Sequence, residues 1–476
     1  MTKRKEVPPA PVPLETYAKH FDHVLSRRNQ RDAFRRYLEG LLLPTERHKT
    51  LTGLSNSEPV VGAQEPRVQT LQWFLSESTW PEREIQMERL KLLREDPSTA
   101  PTSEGVLVID ETGDRKDGHQ TAHVNRQYLA NLGKVDNGVV SVTSLWADSQ
   151  VYYPLDVEPY SPDCYFECGK KDPAFRTKPQ IALQLVQRAA QQGWPFRAVT
   201  ADSLYGENKG FRSGLRALKI PYVVAVRPSH AWCRLPQVAG SLHAVARQAG
   251  WGSAKQPGQW QAISRTFRDG SQEQWWAVEI ETGPYGKTKA ERAVVATTDP
   301  ATLPDLSTWY LVTNLPAPKP RVAKGVPFAA ASLEEVIRIY GLRMWVEQSY
   351  KHIKHALGWS QYQVRSDRAI RRHWQLVCCA FSFCWYHASH WLSSSEPAAH
   401  VALGGSVSDH REVPAEVAGT GKKNQPARAD ETDRVLAGGS ARRTGLVRTL
   451  DHAAALLEWL VRSTPTSCVA SSPALA

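Results

Sequence analysis

The chain has 476 residues, 41 % of them apolar and 16 of them Trp, and a formal net charge of +11. Its length exceeds that of one ordinary domain, and its apolar content excludes global disorder. The basic balance favours an anionic partner: DNA, RNA or an anionic membrane surface. The longest apolar stretch, Leu376 to Trp391, carries His387, His390 and two Ser, and falls short of the ~20 apolar residues that span a bilayer. Met1-Thr-Lys-Arg-Lys5 is followed by no apolar run, so a secretory signal is not expected. The seven Cys form no CxxC pair, and Cys164 and Cys168 have no matching second pair. Reduced thiols are expected, as in a cytoplasmic protein.

Residues 1–100 read as a helical domain. Phe21, Val24, Leu25, Phe34, Tyr37, Leu38 and Leu41 recur at helical spacing, with Arg27, Arg28, Arg31, Arg35 and Arg36 crowded between them. That basic face is either a solvated surface or a DNA-contacting one.

Residues 101–229 read as α/β. Val106-Leu-Val-Ile-Asp110 is a short buried strand that Asp110 ends. Val139–Trp146 and Val151–Leu155 are two more, Ile181–Gln192 is an amphipathic helix and Phe196–Asp202 a strand. Phe211–Leu218 is a helix and Tyr222–Val226 another buried strand. Three strands, helix, strand, helix, strand is the order of a ribonuclease-H-like sheet, which suggests chemistry only by analogy.

Residues 230–316 change character. Trp251, Trp260, Trp275, Trp276 and Trp309 alternate with polar and β-branched residues between Gly and Pro, as in a β-rich insertion. Residues 317–392 return to helix, one long helix over Leu333–Leu357 and a second over Ala369–Trp391. Residues 393–476 shift to Ala, Gly, Ser and Pro and read as a low-complexity linker and tail, with one last helix over Leu446–Val461.

Asp110 and Asp202 each end an apolar strand, 92 positions apart. An Asp after a strand is commonly a helix cap or turn residue. In a ribonuclease-H-like sheet, however, the first and fourth strands lie side by side, and these two carboxylates then face one site. The third acidic residue is Glu347. At about 100° per residue, Tyr340, Arg343, Glu347, Lys351 and Lys354 fall on one stripe of a helix, beside the apolar stripe of Ile339, Leu342, Val346, Ile353 and Leu357. A solvent-facing ion-pair ladder is one reading of that stripe. A site beside the buried face is the other. The excess of cations fits a phosphate partner: Arg343 to Arg372 holds seven Lys or Arg against two acidic residues. Three carboxylates suit two Mg²⁺ or Mn²⁺ ions about 4 Å apart, one activating the attacking oxygen and one stabilising the leaving oxygen. Arg and Lys alongside would clamp phosphate oxygens.

Tyr340, Arg343, Glu347 and Lys354 match the Tyr-(2)-Arg-(3)-Glu-(6)-Lys signature, and the chain resembles the bacterial insertion-sequence transposases of the DDE superfamily. Ile109-Asp-Glu-Thr-Gly113, Arg126-Gln-Tyr128, Leu132–Asn137, Ala201–Gly206, Val364–Trp374 and Arg36–Leu43 are similar to one branch of that group, over roughly residues 20–390. The resemblance implies a ribonuclease-H-like catalytic core interrupted by a β-rich insertion, behind an N-terminal helical domain that binds DNA ends. It implies metal binding and catalysis by Asp110, Asp202 and Glu347 with two Mg²⁺ (or Mn²⁺) ions. It implies DNA contacts from Tyr340, Arg343 and Lys354, to which the basic run adds Lys351, Arg365, Arg371 and Arg372. The implied partner is double-stranded DNA, as terminal inverted repeats and as target. The implied assembly is a homodimer on paired ends, at the bacterial nucleoid, moving DNA by cut and paste. Related enzymes pass through a hairpin and stack a flipped base on an insertion Trp; Trp275 and Trp276 are candidates for that role or for the core. The region after about residue 393 departs from the family's usual ending. Two alternatives stay open: an inactive or domesticated DNA-binding protein on the same scaffold, and a two-metal DNA nuclease.

Overall fold

The structure, a computed structural model, describes residues 12–43, 48–57, 65–234, 238–267, 271–280, 291–318 and 328–394. The tail, with the helix expected over Leu446–Val461, lies outside the described residues. Five helices come first: α1 (Val12–Lys19), α2 (Arg28–Leu42), α3 (Leu51–Leu54), α4 (Pro66–Ser76) and α5 (Glu82–Glu95). The α/β part follows as β1 (Val106–Arg115), β2 (Asn125–Leu129), β3 (Lys134–Ala147), β4 (Tyr152–Tyr160), α6 (Lys178–Gln191), β5 (Ala198–Ala201), α7 (Ser203–Gly206), α8 (Lys209–Ala217) and β6 (Tyr222–Ala225). Then come β7 (Ala231–Arg234), β8 (Val238–Ser241), α9 (Leu242–Arg247), β9 (Gln261–Thr266), β10 (Gln272–Ile280), β11 (Arg292–Thr297) and β12 (Thr308–Thr313). Three helices close the described chain: α10 (Leu333–Gly341), α11 (Met344–His355) and α12 (Asp367–Ser394).

Ten of the described strands make one mixed sheet in the order β2-β3-β1-β5-β6-β12-β11-β10-β9, with β4 paired to β3. β1 runs parallel to β5, and β5 parallel to β6; the other pairings are antiparallel. Short apolar runs fill β1, β5 and β6 because both sheet faces there are covered. This mixed α/β architecture is compatible with a ribonuclease-H-like fold.

Two of the expected divisions are continuous with the rest of the fold. The stretch 230–316 is β-rich, but its strands do not stand apart: β12 pairs with β6, and β11, β10 and β9 extend the same sheet. The N-terminal helices are not separate either. α12 is 28 residues long, about 42 Å at 1.5 Å per residue, and every residue from Arg372 to Trp385 is buried. It packs against α1, α2, α4 and α5 on one side and β4 and α11 on another. Tyr17 donates to the Cys379 carbonyl at 3.1 Å, and Arg89 reaches from α5 to the Pro154 and Leu155 carbonyls and the Ser382 hydroxyl. One hydrophobic core therefore runs from α1 through α12 to β1 and β5. The crowded arginines are partly absorbed: Arg35 is paired with Glu15 and Asp22, and Arg31 donates to the Leu25 and Ser26 carbonyls.

Candidate active site on the β1–β5 edge

β1 runs on past Asp110 to Arg115, so Asp110 lies mid-strand rather than at a strand end. The polar half of β1 stays in the sheet because its side chains find partners: Glu111 meets Lys178 at 2.7 Å and Asp114 meets Lys354 at 3.1 Å. Asp202 follows β5 immediately. The parallel register pairs Ile109 with Ala201, so the next residue on each strand is a candidate ligand, and the two carboxylates are lateral neighbours. Asp202 is also the N-cap of α7, accepting from the Leu204 amide at 3.0 Å and the Tyr205 amide at 3.5 Å. The cap and site readings are thus both met by one side chain. α7 lies so close under β6 that a Cβ on Gly206 would stand 1.7 Å from the Ala225 carbonyl oxygen, and glycine alone fits there.

The expected long helix over Leu333–Leu357 is broken. α10 ends at Gly341 and α11 starts at Met344, and the intervening backbone tightens into i→i+3 bonds, Arg343 N–H to Tyr340 O at 3.0 Å and Val346 N–H to Arg343 O at 3.0 Å. α11 then lies along β1. Its start stands over Asp110 and its end over Asp114. The 11 residues from Arg343 to Lys354 rise about 16 Å in a helix, and the four from Asp110 to Asp114 about 13 Å in a strand, so the two ladders nearly keep step.

Arg343 joins the acidic residues. Its guanidinium donates to Asp110 Oδ2 at 2.9 Å and to Glu347 Oε1 at 2.9 Å. Asp110 is 7 % exposed, whereas the Glu347 side chain is 54 % exposed and reaches into solvent. Burial pushes the Asp110 carboxyl up to about 7; Arg343 opposes the shift, and the Asp202 and Glu347 carboxylates add to it. Asp202 and Glu347 are therefore both within electrostatic reach of Asp110. Burial likewise pushes the Tyr340 hydroxyl up to about 12, with Arg343 opposing, so it is a proton donor at neutral pH. Across the strand pair, the Thr143 and Tyr350 hydroxyls are hydrogen-bonded beside Asp110.

Among the described residues, no three Asp, Glu, His or Cys side chains stand ready as a cage for one ion. Arg343 holds two of the carboxylates and Asp202 is turned to its own helix amides. The donor set nevertheless fits a hard divalent cation. It is all oxygen, its like charges are clustered and partly desolvated, and a cationic side chain already bridges two of its members. Asp110, Asp202 and Glu347 could hold such an ion only with Arg343 displaced from Asp110 and Glu347.

The remaining predicted residues divide. Lys351 and Arg365 are exposed. Lys354 is spent on Asp114 and the Gly113 carbonyl, at 3.1 and 2.6 Å. Arg371 is paired with Glu158 at 2.7 Å and Asp367 at 2.8 Å. The expectation that Arg372 contacts DNA is corrected: it is 3 % exposed, donates to the Leu75 and Trp80 carbonyls and packs on the Trp80 ring, tying α12 to α4. Trp275 and Trp276, adjacent on β10, face opposite sides of the sheet. Trp275 is buried against Trp309, and Trp276 packs on Trp251 in a second small core.

Sequence reasoning passed over Glu111, Lys178 and Tyr205. Glu111 Oε1 binds Lys178 and Oε2 accepts from the Tyr205 hydroxyl at 3.3 Å. Burial raises its carboxyl against the pull of Lys178, and Asp202 adds to the rise. The signal was its place beside Asp110 in Ile109-Asp-Glu-Thr-Gly113.

A buried carboxylate and its lateral neighbour on parallel strands, faced by a helix carrying a third acid and a bridging arginine, give an α/β layout suited to phosphodiester chemistry. The sequence comparisons agree with that class. The model of the family described as "DDE superfamily endonuclease" matches residues 20–283, more than half of the chain and including Asp110 and Asp202. The chain belongs to the DDE superfamily of endonucleases. It is 37 % identical over 297 residues to a protein of Microchaete diplosiphon named "Probable transposase for insertion sequence element IS701", covering 62 % of this chain and 68 % of that protein.

Proposed function

We propose that this chain is a DDE transposase that cuts DNA at the ends of a mobile element and joins them to target DNA, with Asp110, Asp202 and Glu347 as its metal ligands. The observation that carries this reading is the β1–β5 register, which sets Asp110 beside Asp202 under the one arginine that also holds Glu347. Two Mg²⁺ or Mn²⁺ ions at these carboxylates supply Lewis-acid activation of the attacking and leaving oxygens.

The chain's own residues do the rest. Arg343 exchanges its carboxylate partners for non-bridging phosphate oxygens, which its planar fork fits. Tyr340 keeps its proton and donates to phosphate. Lys351 and Arg365 meet the backbone farther along the DNA. Lys354 works indirectly, fixing α11 to β1 through Asp114, and Arg371 braces the start of α12. The core is ribonuclease-H-like, with the added strands as its insertion and the N-terminal helices contacting DNA ends. The enzyme recognises terminal inverted repeats, works as a homodimer on paired ends and moves DNA by cut and paste at the nucleoid in the cytoplasm. No helix among the described residues is long and apolar enough to cross a membrane.

The test uses DNA flanking the coding region as substrate, with and without Mg²⁺. Wild type cuts it only with the metal, and joins the freed 3′-hydroxyl to a second duplex. Asp110→Asn, Asp202→Asn and Glu347→Gln each abolish cutting while keeping the wild-type circular dichroism. Cutting at the wild-type rate by any of the three removes that residue from the ligand set. Cutting without joining makes the chain a nuclease, and binding without cutting a DNA-binding relative on the same scaffold.

A further inference from the structure

The strands that extend the sheet carry a cation with an unusual setting. Arg265, on β9, has its guanidinium carbon 4.6 Å from the Trp309 ring centroid, 4.7 Å from Trp275 and 4.9 Å from Phe267. Its cross-strand neighbour in register is Glu273, but the Glu273 carboxylate accepts instead from the Trp275 indole N–H at 3.1 Å. Among the described residues, the Arg265 side chain has neither a salt bridge nor a hydrogen bond. Burial pulls its pKa down to about 10, with Glu273 opposing, as expected of a desolvated cation lacking a close counter-ion.

Its position ties it to the candidate active site. The Trp309 ring packs edge-on against Tyr340, with centroids 5.0 Å apart. A Cβ on Gly341 would stand 3.2 Å from an Arg265 terminal nitrogen. Arg265 therefore lies against the break between α10 and α11, two residues before Arg343. Three rings crowd the guanidinium within 5 Å, yet none of its N–H groups has a hydrogen-bond partner among the described residues. A nucleobase would need the planar face; a phosphate needs the edge.

We propose that Arg265 is a DNA-binding residue: its N–H edge takes a backbone phosphate next to the one held at Arg343. This rests on the reading of the β1–β5 edge as a DNA-cleaving site. The rings hold the guanidinium in place before DNA arrives, so little side-chain freedom is lost on binding, and the incoming phosphate supplies the missing counter-charge. Arg265 also gives the added strands a direct role at the site without an exposed aromatic platform.

The test measures binding of a short fluorescent duplex, taken from the DNA flanking the coding region, to the full chain without divalent metal over a series of salt concentrations. Arg265→Gln and Arg265→Met remove the charge, and Met keeps much of the stacking volume. Either variant should bind about tenfold more weakly than wild type, and the slope of log affinity against log salt should fall by about 0.9, the loss of one phosphate contact. Arg265→Lys should keep the slope. Wild-type slopes in both neutral variants overturn the proposal, as does loss of the folded state in both, since the residue is then only a packing element. Failure of wild type to bind or cut the duplex sinks the underlying reading instead, so the two failures are distinguishable.

Discussion

Replacing Arg343 with Gln tests the candidate site most directly, because Arg343 is paired with two of the three carboxylates proposed as metal ligands. In the metal-free protein, Arg343 makes a charge-assisted bond to buried Asp110 and another to exposed Glu347, each 2.9 Å long. The first is worth about 1.5–3 kcal/mol, the second about 0–1 kcal/mol after solvent screening. Arg343→Gln should therefore destabilise the metal-free chain by about 2 kcal/mol at pH 8. The deficit should shrink below about pH 7, where burial already drives Asp110 to its neutral form and a neutral carboxyl has no use for the cation. For metal binding the sign reverses. Wild type must break these bonds before its carboxylates turn to Mg²⁺, and the variant need not, so the variant should bind Mg²⁺ more than tenfold tighter at about 1.4 kcal/mol per decade. Thermal unfolding against Mg²⁺ concentration at pH 8, without DNA, reads both effects. If Mg²⁺ stabilises wild type at the same concentrations as the variant, Arg343 does not guard the ligands and the reasoning fails.

Other substitutions separate roles that the structure combines. Asp202→Asn should keep the α7 cap, since Asn caps well, and lose metal-dependent cutting; Asp202→Ala should lose cutting and about 1 kcal/mol of stability as well. Equal stabilities by urea unfolding would show that the cap contributes nothing. Lys354→Met strands the Asp114 carboxylate, 1 % exposed, and should cost about 3–5 kcal/mol; adding Asp114→Leu should restore much of it in the same assay, and no recovery would refute the pairing. His373 lies between the Tyr37 hydroxyl and the Gly358 and Trp359 carbonyls, and burial depresses its pKa to about 4. The unfolded chain binds that proton first, so the His373 contribution is whole above about pH 6.5 and drains away as pH falls towards 4. His373→Gln should flatten that part of the stability profile, and an unchanged profile would rule His373 out as its source.

Asp110 and Asp202 were legible as neighbours because each follows a short apolar run, and those two runs are the parallel pair β1 and β5. α6, α8 and α12 were legible from apolar periodicity. The full length of β1 was not, because its second half is polar, and the cations that meet its buried acids, Lys178 and Lys354, are both far away in sequence. β2 was missed for a related reason: most of its side chains are only half-buried, which leaves no apolar alternation to read. The break at Gly341 was invisible too. Helical periodicity continues across it, and a lone Gly costs only about 1 kcal/mol; Arg265 and Trp309, which pack against that point, are placed there by the sheet. Arg372 misled because a basic run looks alike whether it faces solvent or two buried carbonyls. Nor did the pattern of β9–β12 reveal its partner, since edge pairing with β6 is a tertiary choice.

Arg343 over Asp110 and Lys354 over Asp114 fasten the Glu-bearing helix to one strand at two points. A helix clipped at both ends neither slides nor rolls. With the first clip open, as the proposed function requires, the second would still set the helix's bearing and keep Glu347 in line. Adding one residue between the clips would turn one of them about 100° out of line, so the span from Arg343 to Lys354 has almost no freedom to change length.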